Sequence, residues 1–144
     1  MNEEVRTDRI VEHIFECGKQ CFVPWFKKDE MKLIKLISLE DYISLPRNKW
    51  NIAQPITVDD REDALSSDGL DLVLVPGLAF TLKGDRLGRG KGYYDRFLFS
   101  MSERRQQNGK PFQAIALSFK EQIVDNMPVT PKDFTVHSIL YDER

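Results

Sequence analysis

Four glycines, Gly84, Gly88, Gly90 and Gly92, are interleaved with four cations, Lys83, Arg86, Arg89 and Lys91, in a stretch that reads VPGLAFTLKGDRLGRGKGYYDRF from Val75 to Phe97. Glycine lets a backbone turn its N–H groups toward an anion with no Cβ in the way. The cations add charge, and an arginine adds a planar fork that fits phosphate oxygens. The segment leaves an apolar run and enters a helical one, so it ends at a helix N-terminus, where amides and dipole favour anions. This combination points to a polyphosphate site. It is not a P-loop, because Gly-x4-Gly-Lys-Ser/Thr is missing. Nor is it a dinucleotide fingerprint, because Tyr93 stands where the third glycine belongs.

Tyr93, Tyr94 and Asp95 follow at once. A carboxylate one turn into such a helix can hold magnesium together with phosphate oxygens. It can equally complement the helix dipole, and spacing leaves both roles open. One tyrosine is expected to pack inward and the other to be available to stack on a planar ligand. Two plainer readings of the loop are a solvated basic turn and an RNA-binding Arg/Gly segment. The position between a core strand and a helix argues against the first. The net charge of −2, from 21 basic and 23 acidic side chains, argues against the second.

The elements that position this loop follow from apolar spacing. Val5, Ile10, Val11, Ile14 and Phe15 predict a helix over 5–18 with Gly18 at its C-terminal cap. Cys21–Val23 predict a short buried strand stopped by Pro24, and residues 31–37 a second strand. Ser38 is placed as the cap of a short helix through Tyr42, and 44–62 as loop. Leu70–Val75 is an apolar run interrupted only by Asp71, the pattern of a central strand covered on both faces. A helix over 93–106 and strands over 112–117 and 136–140 complete the order α-β-β-α-β-loop-α-β-β. The expected fold is α/β: a three-layer, Rossmann-like arrangement around a largely parallel sheet, in a single domain over residues 1–144.

Composition sets further bounds. Hydrophobic residues make up 41% and charged residues 31%, an ordinary globular balance. No apolar run reaches the ~20 residues of a membrane span, and the polar, acidic start MNEEVRTDRI is not a targeting peptide. Cys17 and Cys21, with only His13 and His137 as companions, make a zinc site improbable, so free thiols in a reducing compartment are expected.

The stretch Val75–Phe97 resembles the signature of the 5-formyltetrahydrofolate cyclo-ligases, also called methenyltetrahydrofolate synthetases. The match is carried by Arg86-Leu87-Gly88-Arg89-Gly90-Lys91-Gly92-Tyr93-Tyr94-Asp95. Asn48–Ile52, Asp71–Pro76 and Ser118–Gln122 resemble other family segments in the right order. The resemblance implies an ATP- and magnesium-dependent ligase that converts 5-formyltetrahydrofolate to 5,10-methenyltetrahydrofolate, releasing ADP and phosphate. It implies that residues 86–94 hold the ATP phosphates and that Arg89, Lys91 and Tyr93 are catalytic. It further implies that Arg89, Gly90, Lys91, Gly92 and Tyr93 border the folate and that Glu4 meets its pterin-like ring. Asp95 and Asp133 would bind magnesium. Phe26 and Trp50 would wall the folate slot, with core packing the alternative for each. By the same comparison the chain is expected to start after the family's basic helix and first strand, and His137 stands where an acidic residue is usual. The implied protein is a cytoplasmic monomer that takes no nucleic acid or membrane as partner. A second reading is a catalytically impaired folate- and ATP-binding isoform or fragment, and a third is an RNA-binding module.

Overall fold

A computed structural model describes residues 5–49, 51–58 and 60–142. They pack as two units, Arg6–Asp68 and Gly69 to the C-terminus, the latter together with Val5.

The first unit is a β-ribbon against two helices. Helix α1 (Asp8–Glu16) ends at Cys17 and Gly18, whose φ is +69°. Gly18 N–H donates to Phe15 O and Lys19 N–H to Ile14 O, so a glycine in the left-handed region satisfies the last carbonyls. Strands β1 (Cys21–Lys27) and β2 (Glu30–Leu36) pair antiparallel from Cys21↔Leu36 to Lys27↔Glu30. Pro24 does not stop β1, contrary to the sequence expectation. Among the described strands β1 pairs only with β2, so its outer edge has no ladder partner and a missing N–H is tolerated there. An isolated ribbon is marginal in water. Here Val11, Cys21 and Leu36 form a buried cluster with Ile14, Phe15, Val23, Leu39, Tyr42 and Leu45 around it. Burial also pushes the Cys21 thiol pKa up, while Cys17 is exposed; both are free thiols.

Helix α2 (Leu39–Ile43) starts at Ser38, whose Oγ accepts from Asp41 N–H at 3.1 Å. Asp41 then meets Arg61 in a bidentate pair, 2.8 Å on both arms, with the two side chains 15% and 16% exposed. Arg61 also donates to Lys35 O at 3.0 Å, and Lys35 N–H donates to Glu62 O, so residues 61–63 are laced to the free edge of β2.

The second unit holds the parallel sheet. Strands β3 (Leu72–Val75), β6 (Gln113–Ser118) and β7 (Ser138–Tyr141) lie in the order β3-β6-β7, all parallel. Between β3 and β6 come a small antiparallel hairpin, β4 (Ala79–Phe80) and β5 (Arg86–Leu87), and helix α3 (Tyr93–Gln107). Hydrogen bonding gives β6, not β3, the central place among these strands. The apolar run at 70–75 reports burial of its alternate residues and not the number of paired neighbours. On one face Val73, Val75, Ala114, Ala116 and Ser118 are buried; Phe97, Leu98 and Met101 of α3 and Phe80, Phe134 and Val136 are also buried in this unit. Ala114 and Ala116 keep that face flat enough for close packing, and each large buried side chain contributes about 1.5–3 kcal/mol. Arg105 is buried at the far end of α3. It donates to Pro111 O and pairs with Asp71, fixing the α3–β6 turn to the start of β3.

Arg61 holds the Asp41 carboxyl below the usual carboxylate range; burial opposes this and the Ile37 N–H assists it. A carboxylate with a lowered folded-state pKa contributes stability above its unfolded value, and that contribution fades as pH falls below about 4. Asp41→Asn is expected to cost about 1.5–3 kcal/mol at pH 7. Urea unfolding at pH 7 and pH 3 should show a smaller wild-type advantage at the lower pH.

Candidate functional site

Half of the basic stretch is not loop. Leu78 N–H donates to Leu87 O and Thr81 N–H to Asp85 O, closing the β4–β5 hairpin with Lys83 and Gly84 in its turn. Phe80, fully buried, anchors the hairpin, and its carbonyl accepts from Val124 N–H at 2.8 Å. The sequence reading missed this hairpin, since two-residue strands carry no periodicity.

Residues 88–92 then lead into α3. Gly92 sits at φ +70° as the N-cap residue, a conformation that disfavours other side chains, and contributes no capping side chain. The first-turn amides of α3 are therefore not engaged by a cap of the usual kind. Arg89 and Lys91 are exposed beside this helix start. The Lys91 carbonyl accepts from Arg96 Nη1 at 2.9 Å, which holds the loop's last residues against the first turn.

Arg86 behaves differently. Its side chain is only 6% exposed. Nη1 donates to Pro76 O at 3.0 Å, Nη2 stands 3.7 Å from Asp95 Oδ1, and the guanidinium carbon lies 5.4 Å from the Tyr94 ring centroid. Tyr93 faces Arg96 at 5.6 Å, so each tyrosine has a guanidinium on its ring.

The two acidic candidates come together through one residue. Asp133 accepts from Thr130 N–H at 2.8 Å through Oδ2, closing a turn whose next amide, Phe134 N–H, donates to Asp95 Oδ1 at 3.0 Å. Phe134 is itself buried among aromatic rings, edge-to-face with Phe99 at 5.1 Å and with His137 at 5.8 Å. His137 accepts from Ala114 N–H through Nδ1 at 2.8 Å and returns its own N–H to Ala114 O. That imidazole fastens the start of β6 to the approach of β7.

The turn after β3 is held from another side as well. Gln122 Nε2 donates to Gly77 O at 2.9 Å, while its Oε1 accepts from Phe119 N–H at 2.8 Å. At the carboxyl ends of β6 and β7 lies an open, largely apolar cavity of about 490 Å³, lined by Val5, Leu117, Ser118, Phe119, Leu140, Tyr141 and Asp142. None of these lining residues was placed in a ligand site from the sequence, although Ser118 and Phe119 belong to a segment that resembles the family's. The signal available was topological: ligands gather at the carboxyl ends of parallel strands. Phe26 belongs to the first unit, on β1, where its amide and carbonyl both bond the Gln54 side chain. Glu4 and Trp50 lie outside the described residues.

Among the described residues no three His, Cys, Asp or Glu side chains converge as a metal cage, and no helix is long and apolar enough to cross a membrane. The chain matches the model of the 5-formyltetrahydrofolate cyclo-ligase family over residues 1–142. It is 46% identical to the mouse 5-formyltetrahydrofolate cyclo-ligase, an alignment that takes in 99% of this chain and 70% of that protein. It is 34% identical to a probable 5-formyltetrahydrofolate cyclo-ligase of Caenorhabditis elegans, with 96% and 68% covered. An Aquifex aeolicus 5,10-methenyltetrahydrofolate synthetase structure superposes with a TM-score of 0.70 at 23% identity, covering all of this chain and 66% of that one. A second, from Mycoplasma pneumoniae, gives 0.64 at 22%, covering 96% and 65%. The two structures establish the α/β fold, and the family match with the mouse and nematode relatives establishes descent: this chain belongs to the 5-formyltetrahydrofolate cyclo-ligase family.

Proposed function

We propose that the chain converts 5-formyltetrahydrofolate and ATP to 5,10-methenyltetrahydrofolate, ADP and phosphate, with residues 86–94 framing the triphosphate. It is an ATP-dependent cyclo-ligase. The observation that carries the placement of the nucleotide is the pair of exposed cations, Arg89 and Lys91, beside an α3 N-terminus whose cap is a glycine.

A formamide oxygen is a poor leaving group and becomes a good one as phosphate. The protein's work is then positioning and charge neutralisation, with no side-chain nucleophile. Arg89 and Lys91 meet phosphate oxygens, and the α3 amides add a fixed dipole. Tyr93, which follows Gly92 directly, borders both phosphate and folate. The open, largely apolar surface at the ends of β6 and β7 offers apolar contact to one side of a small molecule. On the family resemblance we assign Glu4 as the carboxylate that accepts from the folate ring's N–H groups. Phe26 and Trp50 stand as further folate contacts.

Asp95 and Asp133 would hold magnesium, which would supply positive charge to offset that of the phosphates. The donor set fits it. Asp95 and Asp133 are hard oxygen ligands, and each is held by a backbone amide through only one of its two oxygens. Two carboxylates with phosphate oxygens are the usual magnesium arrangement. The family match runs across both units, which supports a single functional domain. We place the protein in the cytoplasm as a monomer, without nucleic-acid or membrane partners.

Purified chain mixed with ATP, magnesium and 5-formyltetrahydrofolate is expected to form methenyl product, followed by its near-ultraviolet absorbance. Binding of both ligands without product would establish the impaired binder instead. Arg89→Ala and Asp95→Ala are each expected to lower kcat/KM about 10²–10³-fold, and wild-type rates in both would displace the phosphate site from this loop. Chelation of divalent metal by EDTA should stop turnover, and added magnesium should restore it.

A further inference from the structure

We propose that Arg86 is a positioning residue that acts from inside the protein, and that it is not a ligand of the phosphates. The inference rests on the reading of residues 86–94 as the triphosphate site. It separates one cation of that segment from the others by where its guanidinium is spent.

Arg89 and Lys91 are exposed, whereas the Arg86 side chain is 94% removed from solvent. Its Nη1 donates to Pro76 O at the end of β3, its Nη2 stands 3.7 Å from Asp95 Oδ1 on α3, and its guanidinium carbon lies 5.4 Å from the Tyr94 ring centroid, while its buried Nε has no hydrogen-bond partner among the described residues. Two glycines lie close against it. A Cβ at Gly88 would lie 3.0 Å from Nη1 and 3.3 Å from Nη2, so the guanidinium would have to shift by a few tenths of an ångström to admit a side chain there. A Cβ at Gly77 would meet the Phe80 ring at 2.7 Å and Arg86 Cγ at 3.0 Å. Gln122 holds the neighbouring carbonyl, Gly77 O, so the strand-end turn is fixed on both sides of Arg86's own anchor.

An arginine in this setting does three things together: it fixes the strand end, orients the Asp95 carboxylate and packs the Tyr94 ring. Lysine cannot replace it, because an ammonium is a point charge on a flexible stem and offers no planar fork or face. A phosphate ligand, by contrast, would tolerate lysine in part, since charge is what the anion meets.

The test compares Arg86→Lys, Arg86→Gln and Arg89→Ala with wild type in two assays. One is ATP binding in EDTA, followed by titration calorimetry; the other is steady-state turnover with magnesium. For both Arg86 variants we expect metal-free ATP affinity and the KM for ATP within about twofold of wild type, and kcat lowered at least about tenfold. Arg89→Ala should weaken metal-free ATP binding about tenfold or more. The proposal is overturned if the Arg86 variants lose metal-free ATP affinity as Arg89→Ala does, or if Arg86→Lys keeps full kcat. If Arg89→Ala binds ATP as wild type does, the phosphate reading of the loop fails, and the kcat-against-KM split at Arg86 still decides this inference. Circular dichroism monitors folding, and should the glutamine variant not fold, Arg86→Lys decides in both assays.

Discussion

A guanidinium withdrawn from water needs several fixed oxygens around it, because its charge is costly to bury without partners. Arg86 meets that need in part, with one hydrogen bond from Nη1, an ion pair at Nη2 and no partner for its buried Nε among the described residues, and it draws these partners from separate parts of the chain. Pro76 ends a strand of the parallel sheet, Asp95 and Tyr94 open a helix, and Arg86 itself rides on a small hairpin between them. Through Asp95 the linkage reaches Phe134 and the turn that carries Asp133. The strand end, hairpin, helix start and distant turn that compose the site therefore share one charged junction. Two glycines, Gly77 and Gly88, lie close against it.

What the sequence made legible, and what it concealed, follows from the range of each interaction. The element order could be read because apolar spacing and local caps are short-range signals. Gly18 after α1, Ser38 before α2 and Gly92 before α3 all stand where local chemistry places them. The β4–β5 hairpin escaped notice because its strands are two residues long and are held by packing of Phe80 and by bonds such as Leu78 N–H to Leu87 O. Pro24 was read as a strand breaker because a sequence does not announce that its ribbon has an unpaired edge. The cavity at the ends of β6 and β7 is a product of parallel pairing between segments more than twenty residues apart in sequence, and no local pattern encodes it.

The same limit applies to charge. Lys83, Arg86, Arg89 and Lys91 look alike as letters, interleaved with glycines. In the fold one lies in a hairpin turn, one is buried, and two are exposed beside a helix N-terminus. The first unit makes the point with opposite sign. Asp41 and Arg61 are twenty residues apart and unremarkable in sequence, yet they form a doubly bonded, nearly buried pair that ties α2 to the edge of β2. Spacing identifies which residues are able to meet an anion, and burial decides which of them do.

That division of labour fits the chemistry of a reaction whose difficulty is electrostatic. Moving a phosphoryl group onto a formamide oxygen concentrates negative charge at a point the protein must reach with cations that are mobile enough to arrive and fixed enough to aim. Exposed side chains such as Arg89 and Lys91 can approach a ligand. Groups buried beneath them can hold the backbone from which they reach. A buried arginine with a backbone carbonyl, a carboxylate and an aromatic face around it is such a group. Its neighbour Asp95 is further pinned by the Phe134 amide, so that a metal-binding oxygen on the same carboxylate would point one way. The rigidity of that inner layer lets a loop of glycines serve as a precise site.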